Sequence, residues 1–339
     1  MTAPGLLPLL PASFSTQIEA AVEAGPSLDA RFARLEPARF ASIFLVGCGG
    51  SLFTFAPLRC LLDRSPIPVF TFNSDEFMLR RPTMLGPASL VIVSSTHGAT
   101  RETAAAARMA TAAGATVIGI TQDDASIVAA ACQHVVLHQG VEAKQIVLAQ
   151  LGWSLLKTLD SIGDAEYKQA AAALGQSPPA FARAHVEWDS GLSDLAHALH
   201  TENMIYVLGS GPLEGAAQTL AMCYLQEMQT LNAAAISAGE FLHGPFEVVT
   251  DGTPVILLKG DDVTRPMAER AEQFLRQYTH KLWILDASAL ELSGVDPENR
   301  PLIADLVLGS TVLNRIAEHF ASWTGRPLTD RRYMWKIDY

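Results

Sequence analysis

Ile43-Phe-Leu-Val-Gly47 is a short apolar run that leads directly into the small-residue turn Cys48-Gly-Gly-Ser51. An uninterrupted apolar run of this length is typical of a strand that is buried on both faces of a parallel sheet. Later in the chain, Met204-Ile-Tyr-Val-Leu-Gly209 leads into Ser-Gly-Pro in the same way. The same strand-and-turn unit therefore occurs twice.

Two further pairs of apolar runs repeat in the same order and at nearly the same offset. Residues 90–94 correspond to residues 255–259, and residues 117–121 correspond to residues 282–286. Alternating strands and helices predict an α/β fold with two tandem domains, each a doubly wound parallel sheet flanked by helices. A single large α/β domain is the alternative. The helical patterns between the runs cover residues 103–113, 144–159, 213–231, 264–278 and 302–324.

The repeat also predicts where the domains begin and end. We expect a helical extension over residues 1–30, a first domain over residues 31–175 and a second domain with a C-terminal tail over residues 185–339. Because prolines interrupt both helices and strands, Gln176-Ser-Pro-Pro-Ala180 is the expected linker.

Charge and composition exclude several classes of protein. The 24 basic and 35 acidic residues give a net charge of −11, which opposes binding to nucleic acid or to an anionic membrane. No apolar run reaches the roughly 18 residues of a membrane span, and the N-terminus lacks the basic region of a signal peptide. The four cysteines are scattered, and His134 and His138 have no further ligand nearby. We therefore expect a cytoplasmic protein without a metal site.

Two turns that follow strands carry the small and hydroxyl residues of an anion site. One turn contains Gly49, Gly50 and Ser51, and the other is Ser94-Ser-Thr-His-Gly-Ala-Thr100. Bare backbone N–H groups and hydroxyls at the positive end of a helix dipole can bind a phosphate or a sugar oxygen. The alternatives are an ordinary strand-to-helix turn and N-capping of a helix by Thr100.

One carboxylate and one imidazole are candidates for proton transfer. Glu227 lies beside the apolar stripe of the helix predicted over residues 213–231, where partial desolvation raises the pKa of a carboxyl group. His243 lies in a loop between Gly239 and Gly244. Such a pair can serve as base and acid. The alternatives are a Glu227 paired with an arginine or a helix N-terminus, and a structural hydrogen bond from His243.

These motifs together resemble the sugar isomerase (SIS) family. They are Cys48-Gly-Gly-Ser51, Ser95-Thr-His-Gly-Ala-Thr100, Glu227 and Ala238-Gly-Glu-Phe-Leu-His-Gly-Pro245, and the resemblance spans roughly residues 30 to 339. More narrowly, they resemble the fructosamine 6-phosphate deglycases, whose C-terminal segment is similar to Arg331-Arg-Tyr-Met, and the isomerase half of glucosamine-6-phosphate synthase.

The resemblance implies two SIS domains in a homodimer whose active sites lie near the interface. Glu227 matches the base that moves a proton between C1 and C2, and His243 matches the group that assists ring opening, in its own subunit or across the dimer. Lys336 falls where the synthase has a C-terminal active-site lysine. The phosphate-binding loop is matched by Ser95, Thr96, His97 and Thr100, with Gly49, Gly50 and Ser51 in the turn beside it.

Departures from the family pattern narrow the expected function. His97 replaces a serine of the phosphate loop, and Tyr224 stands where the synthase has a lysine. The sequence has no room for a glutaminase domain before the first SIS domain, so we expect no amination. We expect an enzyme without cofactors that cleaves fructosamine 6-phosphates to an aldose 6-phosphate and a free amine. Lys144, by its position, is expected to help neutralise the ligand.

Two other functions remain open at this point. The first is an aldose–ketose phosphosugar isomerase or an amino-sugar phosphate deaminase, which would use the same base and acid. The second is a non-catalytic, phosphosugar-binding regulatory module. No helix-turn-helix is recognisable ahead of residue 31, and the presence of both Glu227 and His243 favours an enzyme.

Overall fold

A computed structural model describes Leu7, Leu10, Pro11 and residues 13–338. The chain divides into two compact units, one over Ser15–Pro178 and one over nearly all of the remainder. We call them the first-sheet unit and the second-sheet unit.

The first-sheet unit contains five parallel strands in the order β2-β1-β3-β4-β5. The strands are β1 Ser42–Gly47, β2 Val69–Asn73, β3 Ser89–Ser94, β4 Thr116–Thr121 and β5 His134–Leu137. The three central strands β1, β3 and β4 are buried along their whole length, as the apolar runs predict. The helices up to Gln176 are α1 Ser13–Glu23, α2 Gly25–Ala33, α3 Gly49–Phe53, α4 Ala56–Leu61, α5 Ser74–Arg80, α6 Arg101–Ala112, α7 Gly140–Thr158 and α8 Asp164–Gln176.

Helix α6 shows how residue size sets the packing on this sheet. Its buried face consists of small residues, among them Ala104 and Ala107, which pack with Val91 and Val93 of β3 in one apolar cluster. Alanine side chains let the helix backbone approach the sheet closely. Only residues 95–100 separate the end of β3 from the start of α6.

The second-sheet unit contains four parallel strands in the order β7-β6-β8-β9. The strands are β6 Ile205–Gly209, β7 Ala233–Ser237, β8 Val255–Lys259 and β9 Leu282–Asp286. The predicted runs at residues 204–209, 255–259 and 282–286 are therefore confirmed as strands. The helices from Pro178 onward are α9 Pro178–Glu187, α10 Asp189–Leu199, α11 Glu214–Gln218, α12 Arg265–Tyr278, α13 Arg300–Val307 and α14 Leu313–Thr324.

Two helices of the second-sheet unit differ from the prediction because they contain π-helical segments. Thr219–Met228 continues α11 with π geometry, and Leu308–Val312 joins α13 to α14 in the same way. In a π-helix an N–H group bonds to the carbonyl five residues earlier, as Gln229 N does to Tyr224 O at 3.1 Å. The helix predicted over residues 213–231 therefore ends earlier and winds more widely than expected.

The expected linker is helical rather than extended. Helix α8 ends at Gln176 and α9 begins at Pro178, so Ser177 alone separates them. The division between the two units falls at Pro178, inside the predicted linker. Two helices, α1 and α2, occupy the region of the expected N-terminal extension, while residues 1–6, 8, 9 and 12 lie outside the described residues. The domain limits at residues 1–30, 31–175 and 185–339 stay predictions.

Each sheet has one place where the winding of the chain reverses. In the first sheet β1 is followed by β2 on one side and β3 on the other, and in the second sheet β6 has β7 and β8 on its two sides. Loops that leave neighbouring strands in opposite directions open a crevice at the carboxyl ends of those strands, where α/β proteins bind ligands. We call the crevice at the carboxyl ends of β1 and β3 the first crevice, and the crevice at the carboxyl ends of β6 and β8 the second crevice.

The second crevice is filled by side chains of the protein itself. The Asp262 carboxylate accepts a hydrogen bond from Thr264 N at 3.1 Å, and the Thr264 hydroxyl lies 2.7 Å from Asp262 Oδ1 and 3.1 Å from Ser210 Oγ. A Cβ on Gly211 would come within 2.8 Å of Asp262 Oδ2, which shows how closely these groups cover the turn. A carboxylate in this position repels a phosphate.

Asp305 adds a second buried carboxyl group next to this crevice. Its side chain is 3% exposed, and its Oδ1 accepts a hydrogen bond from Asp261 N at 3.1 Å. Its Oδ2 has no partner among the described residues. Burial, reinforced by the nearby charges of Asp262 and Asp261, raises the pKa of Asp305 to about 8.

This shift predicts a pH-dependent stability that Asp305→Asn removes. The folded protein holds the Asp305 proton up to about pH 8, whereas the unfolded chain releases it near pH 4, so the free energy of unfolding falls as pH rises between these values. The uncharged amide avoids this loss, and each kcal/mol raises Tm by about 2–4 °C. Thermal melts should therefore show Asp305→Asn several degrees above the wild type at pH 9 and close to it at pH 5.

Asp194→Asn is the matched control, because Asp194 is exposed on α10. It should follow the wild type at both pH values. If Asp305→Asn and the wild type lose stability in parallel between pH 5 and pH 9, Asp305 is not a buried neutral acid.

Candidate functional site

The first crevice is formed by two loops that the sheet holds side by side. Strands β1 and β3 pair in parallel with Gly47 opposite Ser94, so the turn after Gly47 and the loop after Ser94 start together. A Cβ on Gly47 would lie 3.2 Å from both Leu52 N and Ser94 O. A glycine is therefore the residue that lets the turn pass so close to β3.

Ser51 joins the two loops. Its hydroxyl oxygen accepts a hydrogen bond from Thr96 N at 3.2 Å and lies 3.3 Å from Thr96 Oγ1. The predicted glycine turn and the predicted phosphate loop are therefore parts of one site. Because side chains of both loops share these bonds, either loop moves only with the other.

The loop from Ser95 to Thr100 is held to the neighbouring strand. Ser95 N donates to Ile120 O at 3.1 Å, and the Ser95 and Thr100 hydroxyls are 2.9 Å apart. Gly98 has a φ of 66°, and a Cβ there would collide with the Ser126 side chain. Thr100 directly precedes α6, but its hydroxyl bonds to Ser95 and makes no capping bond to the helix, so N-capping is not its role.

Several backbone N–H groups at this site are available to a ligand. They sit at the starts of α3 and α6, where the helix dipole favours negative charge. A phosphate is bound by such donors without any need for a metal. Within the described chain, no acceptor is found for the N–H groups of Gly49, Gly50, His97, Ala99 and Thr100.

Lys144 supplies a positive charge beneath the first crevice. It lies in the second turn of α7 with 1% of its surface exposed, and its Nζ is 3.5 Å from Ser51 Oγ. The sequence analysis suggested Lys144 from its position alone. In the structure it lies next to Ser51, whose hydroxyl also bonds to Thr96 N. A buried ammonium group next to free N–H donors favours a dianionic ligand.

His138 is a site residue that the sequence analysis weighed only as a metal ligand. It follows β5, is 4% exposed, and has its Nδ1 3.0 Å from Gly140 O. Burial, together with the charge of Lys144, lowers the pKa of His138 to about 4. His138 is therefore neutral, with an Nε2 that has no partner in the described chain. The partly exposed strand before it, His134–Leu137, gave no sign that His138 is buried.

Glu227 lies in the second-sheet unit at the end of the π-helix Thr219–Met228. Its carboxylate is 25% exposed and 2.7 Å from an Arg331 nitrogen. Burial raises the pKa of Glu227, and the positive charge of Arg331 opposes that rise. The sequence analysis treated partial desolvation and pairing with an arginine as alternatives for Glu227. The structure shows both for the same carboxylate.

Lys336 does not contact Glu227 directly. Its Nζ donates to Arg331 O and lies 3.6 Å from Asp330, and 58% of its side chain is exposed. Arg331 thus stands between the expected lysine and the expected base. No sequence pattern identified Arg331 as the arginine that pairs with Glu227, because more than a hundred residues separate the two.

His243 is exposed in a turn that ends at Gly244, whose φ of 147° suits a glycine. Its backbone N donates to Glu240 O at 2.9 Å. Across residues 13–338 the imidazole itself makes no hydrogen bond, so a structural hydrogen bond within the chain is not its role. The side chain is free to meet a ligand or a second molecule.

Other features of the predicted site are simple to report. All four cysteines are free thiols. In the part of the chain that the structure covers, no cluster of three or more His, Cys, Asp or Glu side chains has the arrangement of a metal site. None of the described helices combines the length and the apolar character that a membrane crossing requires.

Comparison with known proteins adds to this geometry. A model of the SIS domain matches residues 36–154 and 198–290, one segment in each sheet unit, which confirms the predicted tandem repeat. The fructosamine deglycase FrlB of Bacillus subtilis (strain 168) is 36% identical over 88% of this chain and 92% of its own length. A fructoselysine 6-phosphate deglycase of Escherichia coli O157:H7 is 28% identical over 77% of each chain.

A solved structure is similar along the same length. It is that of a Bacillus subtilis protein described as a candidate phosphosugar isomerase, and it superposes with a TM-score of 0.88 and 33% identity over 97% of this chain and 100% of that one. The fold described above is therefore a known one.

The buried charge in the first crevice leads to a binding prediction. Lys144→Met should weaken the binding of fructose 6-phosphate at least about tenfold, because a charge-assisted contact contributes ~1.5–3 kcal/mol. Titration calorimetry at constant ionic strength measures the Kd. Lys168→Met is the matched control, because Lys168 is exposed on α8 in the same unit. An unchanged Kd in a folded Lys144→Met variant would remove Lys144 from the anion site.

Proposed function

The chain belongs to the SIS domain family, and on that premise we propose that it is a deglycase: it cleaves fructosamine 6-phosphates to an aldose 6-phosphate and a free amine. The observation that carries the proposal is Glu227, a half-buried carboxylate with a raised pKa, in a chain that is similar along its length to a fructosamine deglycase. A carboxyl group in that state exchanges protons near neutral pH more readily than an exposed one.

The phosphate of the substrate binds at the first crevice. Ser95, Thr96, His97 and Thr100 hold it with backbone and side-chain donors, Gly49, Gly50 and Ser51 supply the adjoining turn, and Lys144 balances its charge. The loops are tied to each other before the ligand arrives, so little ordering is needed on binding. Anchoring the far end of the sugar in this way fixes the position of C1 and C2.

Glu227 carries out the proton transfer on the open-chain sugar. It takes a proton from C1, and the C–H electron pair forms a C1=C2 double bond while the C2 oxygen gains a proton. A proton then returns to C2, which leaves a C1=N imine. Water adds to this imine and the amine departs, so one water is consumed for each aldose 6-phosphate and amine formed. General acid–base help of this kind contributes about 10²–10⁴-fold.

His243 assists the opening of the sugar ring, and Lys336 supports the same chemistry near the end of the chain. The exposure of the His243 imidazole supports a role at a surface where a second chain can meet it. We infer a homodimer with active sites near the interface, in which His243 acts in its own subunit or in the neighbouring one. Lys336 reaches Glu227 through Arg331, which supports a place for it beside the base.

The partners and location follow from the same features. The substrate is a phosphorylated sugar–amine conjugate, and the net charge of −11 opposes nucleic acid and anionic membranes as partners. The four free thiols support a reducing, cytoplasmic location. The reaction balances with water alone and uses no metal or organic cofactor.

A phosphosugar isomerase is the second candidate function. The similarity to a protein described as a candidate phosphosugar isomerase favours it, because base and acid would be shared by the two reactions. The release of an amine in step with the aldose phosphate distinguishes the deglycase from the isomerase.

Glu227→Gln tests the assigned base. The amide cannot accept the C1 proton, so turnover of a fructosamine 6-phosphate should fall at least about a thousandfold, within the range of acid–base contributions. A coupled assay that follows glucose 6-phosphate and free amine together measures the rate, and calorimetry with fructose 6-phosphate confirms that binding is kept. Glu247→Gln, a change of an exposed glutamate, is the control. A Glu227→Gln variant with wild-type turnover would end the assignment.

Mixing two inactive variants tests which subunit supplies His243. If His243 serves the Glu227 of the other subunit, a mixed dimer of Glu227→Gln and His243→Gln chains has one site with both residues intact. Co-expression with two affinity tags should then restore activity to about half that of the wild type per dimer. If both residues serve the same subunit, every site in the mixed dimer carries one defect and activity stays absent.

A further inference from the structure

The guanidinium group of Arg331 is held in one orientation. Two backbone oxygens accept from the same nitrogen of Arg331, Leu328 O at 2.7 Å and Asp330 O at 2.8 Å. The guanidinium carbon lies 5.3 Å from the centre of the Trp335 ring. The other terminal nitrogen is left to meet Glu227 at 2.7 Å. A side chain fixed on three sides presents a charge at a defined point instead of sampling rotamers.

The segment that carries Arg331 is tied to the end of the π-helix that carries Glu227. Gln229 Nε2 donates to Arg326 O at 3.2 Å, and Arg326 Nε donates to Met228 O at 3.3 Å. The Thr324 hydroxyl also donates to Gln229 Oε1 at 2.5 Å. These bonds connect the chain immediately after α14 to the residues that directly follow Glu227, so the two partners of the ion pair move together.

The charged groups around Glu227 leave Arg331 as its one direct ionic partner among the described residues. Arg326 is paired with Asp330 at 2.9 Å, and Lys336 is bound to Arg331 O and faces Asp330. The neighbouring cations are thus engaged elsewhere. Only 7% of the Arg331 side chain is exposed, so water screens its interaction with the carboxylate weakly.

We propose that Arg331 is a positioning residue for the base: it orients the Glu227 carboxylate and keeps it ionised for removal of the C1 proton. The proposal rests on the function assigned to Glu227. Burial alone would drive the carboxyl towards its protonated form, in which it cannot act as a base. The ion pair with Arg331 offsets this effect without transferring a proton itself. The segment after α14 then contributes two residues to the proposed active site, Arg331 and Lys336.

The pH dependence of kcat/KM tests this role, because its acid limb reports the pKa of the base in the free enzyme. Arg331→Gln removes the charge and keeps amide donors for Leu328 O and Asp330 O. The acid limb should move up by about one pH unit or more. Below the acid limb of the wild type, kcat/KM should therefore fall by about tenfold for each unit of the shift, and the deficit should disappear at pH values above both limbs, with the larger effect in kcat than in KM.

Arg332→Gln is the matched control, since Arg332 is the exposed neighbour with the same chemistry. It should keep the wild-type profile. Arg331→Lys keeps a positive charge but lacks the fork of donors, so its acid limb should lie between those of the wild type and Arg331→Gln. If a thermal melt shows that Arg331→Gln does not fold, the test uses Arg331→Lys instead. Its acid limb should then lie at a higher pH than that of the wild type.

The outcomes separate this proposal from the one on which it rests. An acid limb that stays at the wild-type position in a folded Arg331 variant overturns the role of Arg331, even if the rate is lower at every pH, because a purely structural residue acts that way. If Glu227→Gln is inactive in the same experiment, the proposed function stands. If Glu227→Gln is active, the proposed function is wrong, and the role of Arg331 that depends on it is wrong as well.

Discussion

The parallel pairing of β1 with β3 is the constraint on which the proposed phosphate site depends. It sets Gly47 opposite Ser94, so two loops from distant parts of the sequence begin side by side. Ser51 then needs only one hydroxyl to bridge them through Thr96 N. Because β1 and β3 are buried along their whole length, a shift in register would disrupt close packing on both faces of the sheet, so the position of the loops depends on the core of this unit. Precision at the site is therefore a property of the sheet rather than of the loops.

The same architecture occurs twice, but only the first crevice combines the donors and the positive charge that suit an anion. In the first crevice N–H groups are open and Lys144 lies below them, whereas in the second crevice Asp262 and Thr264 occupy the turn and Asp305 is buried beside it. The charge is reversed although the strand order is equivalent. The second-sheet unit instead carries Glu227 on a π-helix, a geometry that often marks functional sites. In the proposed function the two copies of the fold therefore have different chemical roles.

Local patterns predicted the central strands and the positions of the turns that follow them, because buried parallel strands are continuous apolar runs and small residues mark the turns after them. Two edge strands escaped prediction: Ala233–Ser237 is alanine-rich, and Val69–Asn73 is only partly buried. The π geometry around Glu227 follows from packing and has no periodic signature. The pairing of Glu227 with Arg331 joins residues that are far apart in sequence, so neither composition nor spacing could reveal it.

The fate of the two C1 hydrogens tests the central claim most directly, namely that Glu227 acts by moving a proton from C1. A fructosamine 6-phosphate carrying two deuterium atoms at C1 is converted, and the sugar phosphate product is examined by NMR and mass spectrometry. Proton transfer from C1 predicts an aldose 6-phosphate that keeps one deuterium at C1. Direct displacement of the amine by water would instead give a ketose 6-phosphate with both deuterium atoms still at C1, and that result would contradict the account.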